Sequence, residues 1–173
     1  TGNMLIMTTA IAIVDGNADY AAKHWEILTA WSNYLAEAGM DPENQLCTED
    51  FAGHLAHNAN LSAKAIMAIA GYGRLAEMLN KPEEAKKFTE MAKRMAIEWE
   101  RRADDGDHYR LAFDMPGTWS QKYNLVWDRV LGLHIFPDRI ARKEVAFYLS
   151  RQQPFGLPLD SRKTYTKIDW ILW

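Results

Sequence analysis

Cysteine is nearly missing: Cys47 is the single one in 173 residues. That excludes an internal disulfide and a cysteine-built zinc cage, and it leaves the compartment open. No apolar run approaches the length of a membrane span. The opening residues lack the basic stretch that begins a secretory signal peptide. HExxH does not occur, so the common helical zinc-hydrolase arrangement is excluded. Nor is there a large surplus of one charge sign. Net charge is −3, and the strongest basic cluster, Lys86, Lys87, Lys93, Arg94, Arg101 and Arg102, is interleaved with Glu83, Glu84, Glu90, Glu98 and Glu100. That pattern is a solvated helix face, not a nucleic-acid footprint.

Aromatic residues are plentiful, with seven Trp, seven Tyr and six Phe. They fill cores, and they also line pockets for sugars and other small organic ligands. The length suits one domain over residues 1–173, which can bury roughly two-thirds of its unfolded surface. The chain opens in apolar NMLIMTTAIAIV and stops within the aromatic run DWILW. The expectation is an excised part of a longer protein, whose removal exposes apolar helix sides and promotes self-association.

Helical periodicity dominates. Met4–Val14 is apolar nearly all round. Ala18–Ala38 carries one stripe through Ala21, Trp25, Leu28 and Leu35. Leu61–Leu79 is again apolar nearly all round, and its two glycines permit close packing. Pro82–Arg102 is amphipathic through Ala85, Phe88, Ala92, Met95 and Trp99. Tyr123–Leu133 is mostly apolar, and Pro137–Arg151 is amphipathic through Ile140, Ala141, Val145, Tyr148 and Leu149. A helix apolar on every side needs neighbours on every side, whereas a single stripe needs a core on one side and water on the other. The alternation predicts an all-α fold of helical hairpins in inner and outer layers, as in an α/α toroid or α-solenoid.

Inner-to-outer turns are short, at 15–17, 80–81 and 134–136. Outer-to-inner connections are long, at 39–57, 103–120 and 152–168. In a hairpin array all connections of one kind lie on one rim, so the three long polar loops are expected to converge and carry the function.

In the first loop, TEDFAGHLAHNAN, Asp50, His54 and His57 or Asn58 share a face if the segment is helical. Asp, His and His can bind a divalent ion, but the spacing matches no specific metal motif. The plainer reading is that His54, His57, Asn58 and Asn60 cap helices and bond to loop backbone. In the second loop, DHYRLAFD alternates enough for a short strand, with Tyr109, Leu111 and Phe113 on one side. Asp104, Asp105 and Asp107 surround Gly106. Such neighbours raise one another's pKa and supply a general acid, or they form a turn or cap, or they hold a calcium ion. Trp119, Ser120, Lys122, Tyr123 and Asn124 stand at the entry to an inner helix, with Trp127 and Asp128 one turn on. Ser120 with Lys122 resembles a nucleophile and base, though the spacing is a weak signal. In the third loop, Arg162 either clamps a carboxylate bidentately or pairs with Asp160.

The stretches CTEDFAGHLAHNANLSAKAI, DDGDHYRLAFD, GTWSQKYNLVWD and GLPLDSRKTYTKIDW resemble the central region of the glutaminase A family, as do NMLIMTTAIA and GNADYAAKHWEILTAWSNYL. The resemblance covers essentially the whole chain. It implies a six-helical-hairpin toroid, of which these residues form roughly half, in larger secreted or cell-surface proteins with β-rich regions ahead of the toroid. The implied activity is hydrolysis of L-glutamine to glutamate and ammonia, without a cofactor. It carries no assignment of catalytic residues, which rest on loop position and chemistry. Asp50 or Asp105 activates water, and His54 or His57 moves the proton. Asn58, Asn124 or Lys122 steadies the oxyanion, and Arg162 holds the substrate carboxylate. An alternative is a glycoside hydrolase, with two rim carboxylates and Trp119 and Trp127 as sugar platforms. A third is a non-catalytic scaffold whose rim groups satisfy one another. No metal is expected at the site, and the partners expected are a small molecule and the rest of the parent protein.

Overall fold

The computed structural model describes residues 1–47 and 52–172. Its regular structure is helical, and β pairing among the described residues is confined to isolated bridges. The helices are α1 (Gly2–Asp15), α2 (Asp19–Lys23), α3 (Trp25–Ala38), α4 (Ala59–Met78), α5 (Pro82–Ala103), α6 (Val126–Val130), α7 (Asp138–Leu149) and α8 (Ile168–Leu172), with a 3₁₀ turn over Tyr123–Leu125. Two helical hairpins pack together, α1 with α2 and α3 and α4 with α5, and the 3₁₀–α6 segment and α7 follow them in the chain.

Helix α4 is the centre. Nearly all of its residues from Ala59 to Ala76 are buried, including Ile66, Met67, Ile69 and Tyr72. It packs against α1, α3, α5 and the 3₁₀ turn. Asn58 starts it, its side chain accepting a hydrogen bond from the Leu61 N–H at 2.9 Å. Helix α5 shows the other type. Pro82 occupies its first turn with Glu83 and Glu84, Arg101 and Arg102 close it, and Phe88, Ala92, Ala96, Trp99 and Ala103 form its buried stripe. The Trp99 indole N–H donates to the Ala59 carbonyl at 2.7 Å, tying the end of α5 to the start of α4.

Four sequence expectations change. The long outer helix over 18–38 is interrupted at His24, which takes φ −119° and ψ 19° and divides α2 from α3. Helix α1 is not covered all round. Met4, Met7, Ile11 and Val14 lie on one face at helical spacing and are exposed, because α2, α3 and α4 cover its other faces. The inner segment from Tyr123 to Leu133 is helical only to Val130. Beyond it, the Asp128 carboxylate accepts the N–H groups of Ile135 and Phe136 and holds a non-helical turn. DHYRLAFD forms bridges instead of a strand, and Tyr109, Leu111, Ala112 and Phe113 are all buried, so it has no wet face.

The two glycines of α4 mark its closest approaches. A Cβ at Gly71 would stand 2.5 Å from the Thr9 hydroxyl of α1, and one at Gly73 would stand 2.7 Å from the Thr89 hydroxyl of α5. Thr9 is fully buried and donates to the Leu5 carbonyl at 2.8 Å, so it has little room to move. Gly→Ala inside a helix ordinarily gains about 0.5–1 kcal/mol, while overpacking costs about 1–3 kcal/mol. Gly71→Ala is therefore expected to lower stability by about 1 kcal/mol or more. Thermal unfolding followed by circular dichroism would show a fall in Tm of roughly 2–4 °C per kcal/mol. A higher Tm would refute the close α1–α4 contact.

Candidate functional site at the rim

The three long connections meet at the end where the inner segments begin. The first and second are joined by hydrogen bonds from the Ala59 N–H to the Leu111 carbonyl (3.0 Å) and from the Phe113 N–H to the His57 carbonyl (2.9 Å). The second and third are joined by the Gln121 N–H on the Leu159 carbonyl (2.8 Å) and the Ser161 N–H on the Trp119 carbonyl (2.9 Å). Arg162 reaches from the third to the first, donating to the Ala52 carbonyl at 3.3 Å. Polar loops thus satisfy one another's backbone at the mouth of an apolar core.

A cavity of about 280 Å³ opens at this end, between the start of α1, the end of α3, the segment 42–47 and the first turns of α4. Asn3, Tyr34, Gln45, Cys47 and Lys64 contribute its polar lining. Lys64 is buried within α4. Its sequence signal is plain in hindsight: it is the one charge in LSAKAIMAIAGYG.

The expected site residues divide into three groups. Asp50 lies outside the described residues. His54 is exposed on the rim. The remaining residues are described, and most have their polar atoms engaged in the scaffold. Asn58 caps α4 and donates its amide to the Cys47 Sγ at 3.1 Å, which puts it behind the cavity wall. Asn124 donates from both its backbone and its side chain to Asn60, at 3.2 and 3.1 Å, joining two inner segments. Arg162 forks onto Asp160, with contacts of 2.6–3.1 Å, so pairing rather than an open clamp describes it. Trp119 packs on Phe147 and Tyr148 with ring centroids 5.7 and 6.4 Å away, and Trp127 packs against the main core. Both rings are partly buried.

Lys122 is buried. Its ammonium donates to the Tyr109 and Ser120 carbonyls, both at 2.9 Å, and to the Ser120 hydroxyl at 3.2 Å, and it lies 3.6 Å from the Glu144 carboxylate. Ser120 is buried as well. The Lys122 side chain is thus bonded into the scaffold between the second connection and α7. Glu144 also accepts from the Tyr109 N–H at 2.8 Å and from the Tyr148 hydroxyl. Burial, then the adjacent Glu144 charge, pushes the Tyr148 hydroxyl pKa well above its usual value. Glu144 escaped the sequence reading, although it falls within the apolar stripe between Ile140 and Tyr148.

The acidic trio is dispersed. Asp104 pairs with Lys143. Asp105 accepts from the Gly117 N–H at 2.5 Å and the Arg110 guanidinium at 3.0 Å. Asp107 pairs with His108 at 2.6 Å, and that ring stacks on Phe147 with centroids 4.3 Å apart. No His, Cys, Asp and Glu cluster able to hold a metal occurs among the described residues. Burial raises the Asp105 pKa, but the Gly117 N–H and the Arg110 cation together outweigh it and hold the carboxyl below its usual 3.8. Asp107 is likewise held low, chiefly by its His108 hydrogen bond. Asp105 and Asp107 are therefore lowered by their partners.

His57 has an arrangement of its own. It takes the left-handed backbone conformation, φ 59°, which non-glycine residues adopt only where the surroundings impose it. Its Nδ1 lies 2.7 Å from an Asp41 oxygen, and the other oxygen of Asp41 accepts from Arg102 at 2.5 Å. The imidazole is about half exposed, with its Nε2 4.0 Å from Asp114. Asp41, Arg102 and Asp114 carried no sequence signal, because 61 residues separate Asp41 from Arg102.

The chain matches the Glutaminase A six helical-hairpin domain family over residues 1–173. It is 36% identical to glutaminase A of Aspergillus oryzae across 99% of its own length and 25% of that protein. It is 31% identical to a probable glutaminase of Arthroderma benhamiae, across 87% of its own length and 21% of that protein. The chain belongs to the Glutaminase A six helical-hairpin family, and it spans about a quarter of the length of these relatives. No helix among the described residues is long and apolar enough to cross a membrane.

The depressed Asp105 pKa links stability to pH. Its contribution is complete above the unfolded value near 3.8 and is lost as pH falls through the lower folded value. Asp105→Asn is expected to lower stability at pH 7 and to flatten the decline in denaturant midpoint between pH 5 and about pH 2. An unchanged acid decline would show that the Arg110 and Gly117 contacts do not form in solution.

Proposed function

We propose that the domain supplies part of a hydrolase site that cleaves the side-chain amide of L-glutamine, giving glutamate and ammonia, within a larger protein. The observation that carries this reading is the family match over every residue of the chain, together with 36% identity to a protein named glutaminase A. The rim, with its cavity and the half-exposed His57, is where the chemistry is assigned.

Amide hydrolysis adds water to the carbonyl carbon and expels nitrogen, which must gain a proton to leave as ammonia. His57 is the group assigned to that proton, since its ring is half exposed and its Nδ1 is engaged by Asp41, which leaves Nε2, 4.0 Å from the Asp114 carboxylate, for exchange. Asp50 is assigned to activating the water on its sequence position, three residues beyond the cavity-lining Cys47. Lys64 adds a buried side chain to the lining of that cavity. The exposed apolar face of α1 supports packing against further parts of the larger protein, so the activity is to be measured there.

Ammonia release from glutamine by such a protein is expected. His57→Gln should reduce kcat by roughly 10²–10⁴-fold with KM little changed. A wild-type protein that releases no ammonia from glutamine yet cleaves a member of a glycoside panel would replace this reading with the carbohydrate one.

A further inference from the structure

His57, Asp41, Arg102 and Phe113 form a closed cycle of contacts drawn from four places in the chain. Asp41 stands just after α3, His57 just before α4, Arg102 in the last turn of α5, and Phe113 in the second long connection. The Asp41 carboxylate divides its two oxygens, one to the His57 Nδ1 at 2.7 Å and one to the Arg102 guanidinium at 2.5 Å. The guanidinium lies 4.5 Å over the Phe113 ring. Phe113 in turn donates its backbone N–H to the His57 carbonyl at 2.9 Å, while the His57 N–H donates to the Pro42 carbonyl at 2.7 Å. Backbone and imidazole of His57 are therefore held from both sides, which is what sustains its left-handed conformation.

A carboxylate that accepts from one ring nitrogen decides which nitrogen carries the proton. With Nδ1–H turned to Asp41, Nε2 becomes the nitrogen that exchanges protons with a substrate. We infer that Asp41, braced by Arg102, is the positioning residue that fixes the tautomer and direction of His57 for proton transfer to the leaving nitrogen. This rests on the hydrolase reading given above. Asp41 does not touch the reacting atoms. Its work is to orient the imidazole and to stabilise the imidazolium in its charged form. The charged groups facing His57 are Asp41 from the first connection, Asp114 from the second and Arg102 from α5. The hydrogen bond to Asp41, larger than the opposing effect of burial, raises the His57 pKa above its usual 6.5. The Asp41 carboxyl is itself pulled below its usual value, because the Arg102 and His57 contacts outweigh its burial.

The test is ¹⁵N NMR titration of His57 in this chain, as wild type, Asp41→Asn and Arg102→Gln. Wild type is expected to titrate above 6.5 with Nδ1 protonated in the neutral form. Asp41→Asn should bring the midpoint down and mix the tautomers. Arg102→Gln should move the midpoint up, since it removes a repelling cation and leaves the carboxylate. These opposite displacements keep the test decisive if one variant fails to fold. Unchanged midpoint and tautomer in both variants would overturn the inference.

In the larger protein, Asp41→Asn should reduce kcat on the order of a hundredfold, leave KM in place and shift the pH profile toward acid. Full activity in Asp41→Asn beside an active wild type would also overturn it. Absence of glutaminase activity in the wild type would instead remove the hydrolase reading, and the NMR midpoints would still report the pairing.

Discussion

A twenty-residue helix that exposes almost nothing to water must be enclosed on every side, and α4 imposes that demand on the whole chain. Its apolar surface is covered by α1 and α3 on one flank and by α5 and the 3₁₀ turn on the others. The glycines let the neighbouring helices come close, and Trp99 and Tyr72 fill the larger gaps. Because α4 and its outer partner α5 are joined by a tight turn, the longer connections are left to run over the opposite end. The place of the rim follows from where α4 begins.

That same demand shapes the chemistry of the rim. Long loops crossing the mouth of an apolar core bring backbone groups that must be satisfied, and here they are satisfied across connections. Lys122, Asn124 and Gln121 serve this end, each bonding to backbone of another segment, while Asn58 caps its own helix. Buried ionic groups are matched in the same manner, Glu144 by Lys122 and two further donors, Asp160 by Arg162. Against that background His57 stands out. Its backbone is held like that of the scaffold residues, yet its ring is half exposed, and a 280 Å³ cavity opens beyond the segment to which its backbone bonds.

The fold was legible wherever helical period and burial agreed. The apolar Leu61–Leu79 and the striped Pro82–Arg102 were read within two residues of their observed ends, and loop lengths indicated a shared rim. Period failed where long-range contacts took over. In the segment after Val130 the Asp128 carboxylate draws two N–H groups out of helix, and in DHYRLAFD neighbouring loops supply the hydrogen bonds that a strand partner would have given. The site was legible as a place more than as a set of residues. His57 lay in the right polar stretch, whereas Asp41 and Arg102 were 61 residues apart in sequence and could be joined only by folding. The acidic trio misled because proximity in sequence suggested repulsion, while each carboxylate has a basic or N–H partner at the surface.

The central claim is that the almost wholly buried α4 and the joined rim form one cooperative structure. Native-state amide hydrogen exchange tests it most directly. The account predicts that the rim amides of Ala59, Phe113, Gln121 and Ser161 exchange with opening free energies close to those of the α4 core amides, such as Ile66 and Ile69. Rapid exchange of those rim amides while α4 stays protected would contradict it, because the connections would then be independent loops and no fixed site would exist where they meet.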